Sequence, residues 1–179
     1  GEELIPGEPE SEKELKAMID APIGDRSKWK AKWPKTEELE VPIGKAKTVK
    51  EGKDATVVVY GRPVLTVKKV AEELAAENID IEVIDLRSLY PYDWQAIKES
   101  VKKTKRVMFV NEDTEVTNFA EHLVYRCNQE LFYDLYARPK VCAGINVPGI
   151  GLHPNLEDAT VPDHNRIMAE VRELLSDAP

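Results

Sequence analysis

The chain has 179 residues, with 25 Lys and Arg against 33 Asp and Glu and a formal net charge of −8. That length is one ordinary domain with some excess, and 42% hydrophobic residues at a mean hydropathy of −0.43 are enough for a buried core. An isoelectric point near 5.1 argues against a binder of nucleic acid or of anionic membranes, whose phosphate contacts need a basic face, and no run approaches the ~18 apolar residues of a membrane span. The first residue is Gly1 rather than Met, which reads as a processed or cut chain whose upstream targeting signals are out of view. The two cysteines, Cys127 and Cys142, form no Cys-x-x-Cys pair. A disulfide framework or Cys-rich zinc site is excluded, and their apolar neighbours predict buried free thiols, as in a reducing compartment.

Residues 1–40 read as a connector or N-terminal extension, with 11 acids, 7 bases and four prolines. Ser11 to Glu14 starts like a capping box, with Leu15, Met18 and Ile19 on one helical face. The run Lys28-Trp-Lys-Ala-Lys-Trp33 interleaves aromatics with lysines. Such a run can stack single-stranded bases, but with this overall charge it reads as linker aromatics lying on a neighbouring domain.

From Val41 a regular pattern begins. Residues 42–49 alternate roughly and 51–54 read as a tight turn. Val57, Val58 and Val59 belong to a continuous apolar run over 56–60, the mark of a strand covered on both faces. Pro63 suits the first turn of a helix carrying Val64, Val67, Val70, Ala71 and Leu74 on one stripe. A strand over 79–86 follows, then a helix capped by Asp93 and ending in Lys102, Lys103, Lys105 and Arg106, cations suited to the negative end of the helix dipole. The pattern closes with a strand over 107–110, a helix over 117–135, a strand over 140–143 and a helix over 165–175. Strand and helix alternate throughout, predicting a three-layer α/β/α domain: a mainly parallel sheet of five strands with helices on both faces.

Ligands of such a sheet bind beyond the carboxyl ends of its strands. Gly61 with Asp85 about twenty residues on imitates a dinucleotide fingerprint, but that motif needs three glycines and Pro63 occupies the turn. Glu112, Asp113 and Glu115 can be read as Mg²⁺ carboxylates or as a solvated loop that favours the start of the next helix. His122, His153 and His164 show no ligand spacing, and beside Asp163 a capping role is simpler for His164 than a general-acid pair. No Gly-x-Ser-x-Gly elbow is present. On these residues the chain looks catalytically empty.

The ordered segments carry a resemblance. Val41-Pro-Ile-Gly-Lys-Ala46, Glu51-Gly-Lys-Asp54 and Val57-Val-Val-Tyr-Gly61 resemble the opening of the C-terminal domain of transketolase-like proteins. Ile84-Asp-Leu-Arg-Ser-Leu89 with Pro91 and Asp93 is similar to that family's Asp-Leu-Arg-Thr-Leu-x-Pro-x-Asp segment. Leu156-Glu-Asp-Ala159 with Val161 and Pro162 resembles a tail found in the beta subunit of the thiamine-dependent component of 2-oxo acid dehydrogenases, of pyruvate or branched-chain type. Where that branch has a Gly-Gly-Phe-Gly-type turn, this chain has Val116-Thr-Asn-Phe-Ala120, and the segment before Val41 is longer than usual.

The resemblance implies a transketolase C-terminal-like domain over 41–179, with one strand of its five-stranded sheet antiparallel, that stiffens and assembles a larger oxidoreductase. That enzyme uses thiamine diphosphate and Mg²⁺ for oxidative decarboxylation of a 2-oxo acid with acyl transfer to lipoamide, and this chain alone is expected to be inactive. The implied partners are its own pyrimidine-binding domain, an alpha subunit or fused alpha part, a second beta subunit and the lipoyl acyltransferase core. The implied location is the cytoplasm, or the mitochondrial matrix in a eukaryote. No position matches the family's catalytic, cofactor or metal motifs, so none is assigned. Docking is expected at Asp134, Tyr136 and Arg138 and at Glu173 and Asp177, with acids meeting a basic binding domain. The alternatives are the same domain of transketolase or deoxyxylulose-phosphate synthase, and an autonomous Mg²⁺-binding module at Glu112 and Asp113.

Overall fold

The computed structural model describes residues 40–177, together with Ser11 and Lys13. The chain divides into two units, Gly1–Val41 and Pro42–Pro179. The Lys28 to Trp33 run and most of the capping segment around Ser11 lie outside the described residues.

The second unit runs β1 (Lys47–Lys50), β2 (Ala55–Val59), α1 (Pro63–Ala76), β3 (Ile81–Asp85), α2 (Trp94–Thr104), β4 (Val107–Thr114), α3 (Phe119–Leu131), a 3₁₀ turn (Phe132–Asp134), β5 (Lys140–Gly144), α4 (Pro154–Thr160) and α5 (His164–Ser176). The sheet order is β1-β3-β2-β4-β5. Strands β3, β2, β4 and β5 are parallel, while β1 pairs antiparallel with β3. This is the expected five-stranded sheet with one reversed strand, between two helical layers.

Strand alternation builds the two cores. Val57, Val59, Val83, Met108 and Cys142 face α1 and α5, where Val67, Leu74, Ile167 and Leu174 meet them. Val58, Ile84 and Phe109 face α2 and α3, where Ile97, Val101, Leu123 and Cys127 meet them. Each such side chain contributes roughly 1.5–3 kcal/mol by leaving water, and every residue of β2 is buried, as its unbroken apolar run requires.

The second core also encloses polar groups. Thr56 Oγ1 lies 2.6 Å from Ser100 Oγ and 2.7 Å from Thr104 Oγ1. Beside them the buried Glu82 forms an ion pair with Lys103 and accepts the Gly52 N–H at 3.3 Å. Gly52 sits so close to β3 that a Cβ there would lie 2.2 Å from the Ile81 carbonyl carbon, so only glycine fits. Burial works against the Glu82 charge, yet hydrogen bonds from Lys103, Ser100 and Gly52 hold its carboxyl below the ordinary value.

Four boundaries differ from expectation by more than two residues. The first strand is Lys47–Lys50; the preceding residues turn instead, with the Lys45 N–H donated to the Pro42 carbonyl at 3.2 Å and Gly44 at φ +78°. Strand β4 runs on to Thr114 because Asn111 remains buried and Thr114 pairs with Gly144 of β5. The helix expected over 117–135 ends at Leu131 and tightens into the 3₁₀ turn. Helix α4 stands where a loop around His153 was expected, started by Pro154 and by the His153 Nδ1, which accepts the Asn155 N–H at 3.3 Å. Among the described residues no helix is long and apolar enough to cross a membrane.

Candidate functional site

The loop after β3 explains what its motif does. Leu86 is buried and Arg87 takes a left-handed φ of +60°, while the Asp85 carboxylate turns back to accept the Arg87 N–H at 3.1 Å. Ser88 Oγ accepts the Gly44 N–H at 3.0 Å and donates to the Pro91 carbonyl at 2.7 Å. The Tyr90–Pro91 peptide is cis. Asp93 then caps α2 by accepting the Ala96 N–H at 3.3 Å, while its other oxygen accepts the Ala46 N–H at 3.3 Å. The motif is therefore a clasp between the segment before β1 and the start of α2. Asp85, bound to its own backbone, is not displayed as a ribose ligand.

At the carboxyl edge of the sheet the acidic residues separate. Arg62 lies 3.8 Å from Glu112 and 3.4 Å from Glu157. Asp113 accepts the Thr114 N–H at 2.8 Å, and Glu115 accepts the Asn146 N–H at 3.4 Å. Glu112 thus faces a cation while Asp113 bonds the next amide, on a stretch where the pairing of β4 with β5 is irregular between Val110 and Thr114. Among the described residues no three His, Cys, Asp or Glu side chains gather to hold a metal ion. Asn111 instead shapes the loop, accepting the Asp113 N–H at 2.9 Å, and Asn118 caps α3 by accepting the Ala120 N–H at 2.8 Å.

The histidines serve structure. His122 Nε2 lies 2.7 Å from the Tyr92 hydroxyl, which also accepts from Arg126 at 2.8 Å. Arg126 stacks 4.4 Å from the Trp94 ring and donates to Glu130 at 2.8 Å. That Arg126 bond, with a second from Trp94, holds the Glu130 carboxyl down at about 2. His164 Nε2 is 3.1 Å from Glu73 Oε1 without hydrogen-bond alignment, and the cap of α5 is Asp163, which accepts the Arg166 N–H at 2.7 Å.

The five residues expected to dock a partner meet at the opposite edge, where the parallel strands begin. Asp134 lies 3.4 Å from Lys105, and Arg138 lies 3.6 Å from Asp177. Glu173 shares Lys140 with Glu170, each at 2.7 Å. Tyr136 donates its N–H to the Lys105 carbonyl at 2.8 Å. Each of the three acids thus has a cation of its own chain. Two adjoining hollows, of about 490 and 510 Å³, have Arg138 and Asp177 in both walls.

Phe132 and Tyr133, 61% and 98% exposed, also belong to this edge and were not anticipated. A continuous helix through 135 conceals them; the aromatic density of Phe132, Tyr133 and Tyr136 is the signal that marks them.

A fold of this topology with a structural clasp in place of a cofactor loop matches a known class of domain. The sequence model of the family "Transketolase, C-terminal domain" matches residues 44–167, and the chain belongs to that family. Among curated relatives, it is 34% identical over 138 residues to the 2-oxoisovalerate dehydrogenase subunit beta of Bacillus subtilis (strain 168), covering 77% of this chain and 42% of that protein. It is 39% identical over 146 residues to the pyruvate dehydrogenase E1 component subunit beta of Acholeplasma laidlawii, covering 80% of this chain and 43% of that protein. The chain therefore spans less than half the length of these relatives. A solved structure described as a split gene transketolase, inactive beta4 tetramer, shares the fold at a TM-score of 0.70 and 24% identity, over 79% of this chain and 46% of that one.

Proposed function

We propose that residues 41–179 form the C-terminal assembly domain of a thiamine-diphosphate-dependent 2-oxo acid dehydrogenase component, with 1–40 as its connector. The observation that carries this reading is the identity of 34% and 39% with beta subunits of a 2-oxoisovalerate and a pyruvate dehydrogenase. The parent enzyme would be an oxidoreductase that decarboxylates a 2-oxo acid and passes the acyl group to lipoamide. It would lie in the cytoplasm, or in the mitochondrial matrix of a eukaryote.

The described residues do not fit the cofactor. Pro63 removes one N–H from the first turn of α1, which follows Gly61 at φ +73°, and the carboxylates near it are engaged one by one rather than gathered. Thiamine diphosphate and Mg²⁺ are therefore assigned to other segments or chains of the parent, and no chemical step is routed through this domain. Its contribution is rigid placement. The clasp at Ser88 and Asp93 fixes β1 against α2, and the edge bearing Asp134, Tyr136, Arg138, Glu173 and Asp177 is offered to the lipoyl acyltransferase core. Because those acids already have cations of their own, charge there acts on encounter rate and register more than on final affinity.

Calorimetric titration of the chain with thiamine diphosphate and Mg²⁺, followed by the subunit-binding domain of a lipoyl acyltransferase, tests this. No binding heat is expected from the cofactor, and a saturable interaction is expected from the binding domain, associating more slowly with Glu173→Ala and Asp177→Ala. Tight cofactor binding by this chain alone would overturn the reading.

A further inference from the structure

A third hollow, of about 530 Å³, opens at the edge where the parallel strands begin, and its wall carries Lys53, Lys103, Lys105 and Arg106 against the single acid Asp54. A locally positive hollow stands against a chain whose net charge is −8. Not all four cations are free. Lys103 is held by Glu82 and Glu51, and Lys105 lies 3.4 Å from Asp134. Asp54 is occupied as well, accepting the Asp80 N–H at 2.6 Å. Among the described residues, Lys53 and Arg106 are left without an ion pair.

Arg106 is the more telling of the two. Its Nε is buried and has no acceptor, a costly state for a charged donor. Its guanidinium is steadied by the Tyr136 ring, 5.8 Å from the centroid. Cations at the end of a helix ordinarily offset its dipole, and Lys102 and Lys103 in the last turn of α2 do so. Lys53 lies in the turn before β2, away from a helix end, and although Arg106 directly follows the Lys105 cap of α2, the helix dipole does not account for its unpartnered Nε.

We propose that this hollow binds a small organic phosphate, the phosphate lying between Lys53 and Arg106 and the organic body over Ile79 and Leu175. A phosphate monoester carries about two negative charges near neutral pH, matching the two unpaired cations. The guanidinium fork presents paired donors to phosphate oxygens, and the lysine adds a mobile point charge. The volume falls within the ~300–1,000 Å³ of small-molecule sites. An acidic protein segment fits less well, because Lys103 and Lys105 of the same wall are already matched by Glu51 and Asp134, leaving two cations rather than a basic track for a longer anion to follow.

The test is an NMR titration of the ¹⁵N-labelled chain with adenosine 5′-monophosphate, inorganic phosphate, adenosine and a polyglutamate peptide, following the Arg106 Nε–H and the amides of Lys53, Lys105 and Arg106. Saturable shifts are expected with both phosphates and none with adenosine. Arg106→Gln and Lys53→Gln are each expected to weaken binding about tenfold, whereas Lys98→Gln, on the outer face beside Glu130, leaves it unchanged. Two variants guard against loss of fold in either one. Shifts that never saturate, that sodium chloride reproduces, or that survive both substitutions overturn the proposal. Tighter binding of polyglutamate than of either phosphate also overturns it, and assigns the hollow to protein docking.

Discussion

Glu82 and Lys103 show how one residue pair governs a buried charge. The Glu82 side chain is 5% exposed while that of Lys103 is 45% exposed, so removing either partner has unequal consequences. Without Glu82, the lysine swings into water; without Lys103, a buried carboxylate keeps only the Ser100 hydroxyl and the Gly52 N–H and has no cation. Lys103→Met is therefore expected to cost about 2–3 kcal/mol at pH 7, below the usual range for a broken buried pair because Lys103 is partly solvated. Glu82→Gln should cost less. The pH dependence follows from the direction of each shift. In the native chain the Glu82 carboxyl is held below its ordinary value near 4.5, so its contribution is present above that pH and is lost as pH falls through the folded value. The Lys103 ammonium is held above its ordinary value near 10.5, chiefly by the hydrogen bond to Glu82, so its contribution is present below that pH and is lost as pH rises through the folded value. In Lys103→Met the carboxyl loses its main hydrogen-bond partner and its pKa rises by desolvation. The deficit should then be largest at neutral pH and shrink on acidification, as urea denaturation at pH 7 and pH 4.5 would measure. An equal deficit at both pH values would show that the pair is not the cause.

At the scale of elements, caps and clasps decide where helices begin. Asp93 was legible as a cap from its place before Trp94, and it is one. Its second role was not legible, because the Ala46 N–H that it accepts lies 47 residues away in the chain. Asp93→Ala should therefore cost about 1–2 kcal/mol, toward the upper end for a lost cap, and should deprotect the amides of both Ala96 and Ala46 in hydrogen exchange. Asp93→Asn should recover most of the loss. Protection lost at Ala96 alone would mean that the clasp to the segment before β1 carries no energy. At the end of α3 the apolar stripe does go on, since Leu135 packs against the same core as Leu131, but Leu135 reaches it through the 3₁₀ turn, its N–H donated to the Phe132 carbonyl at 3.4 Å, rather than through another α-helical turn. The chain tightens at Phe132–Asp134 and leaves Phe132 and Tyr133 outside.

For the whole molecule, the sheet joins two cores into one body, and each holds a free cysteine: Cys142 beneath α1 and α5, Cys127 beneath α2 and α3. Burial raises the Cys127 thiol to about 12 and the Cys142 thiol to about 11, so neither should react with a thiol reagent at pH 8 while the domain is folded. If the two layers unfold as one unit, both should become reactive along a single denaturant transition that coincides with loss of helical circular dichroism. Exposure of one well before the other would show that the layers are separable. The sequence by itself determined the α/β class, the buried β2, the cap at Asp93 and the family, because apolar periodicity and short motifs are local patterns that the chain carries wherever it folds. Only the tertiary structure decided that β1 is the reversed strand and lies beside β3, that Glu112 faces Arg62 while Asp113 bonds the Thr114 N–H, and that Lys53 and Arg106 share a hollow with Tyr136. Strand order, the face a carboxylate leaves from and the pairing of distant charges depend on which segments come together, and spacing along one chain does not encode that distance.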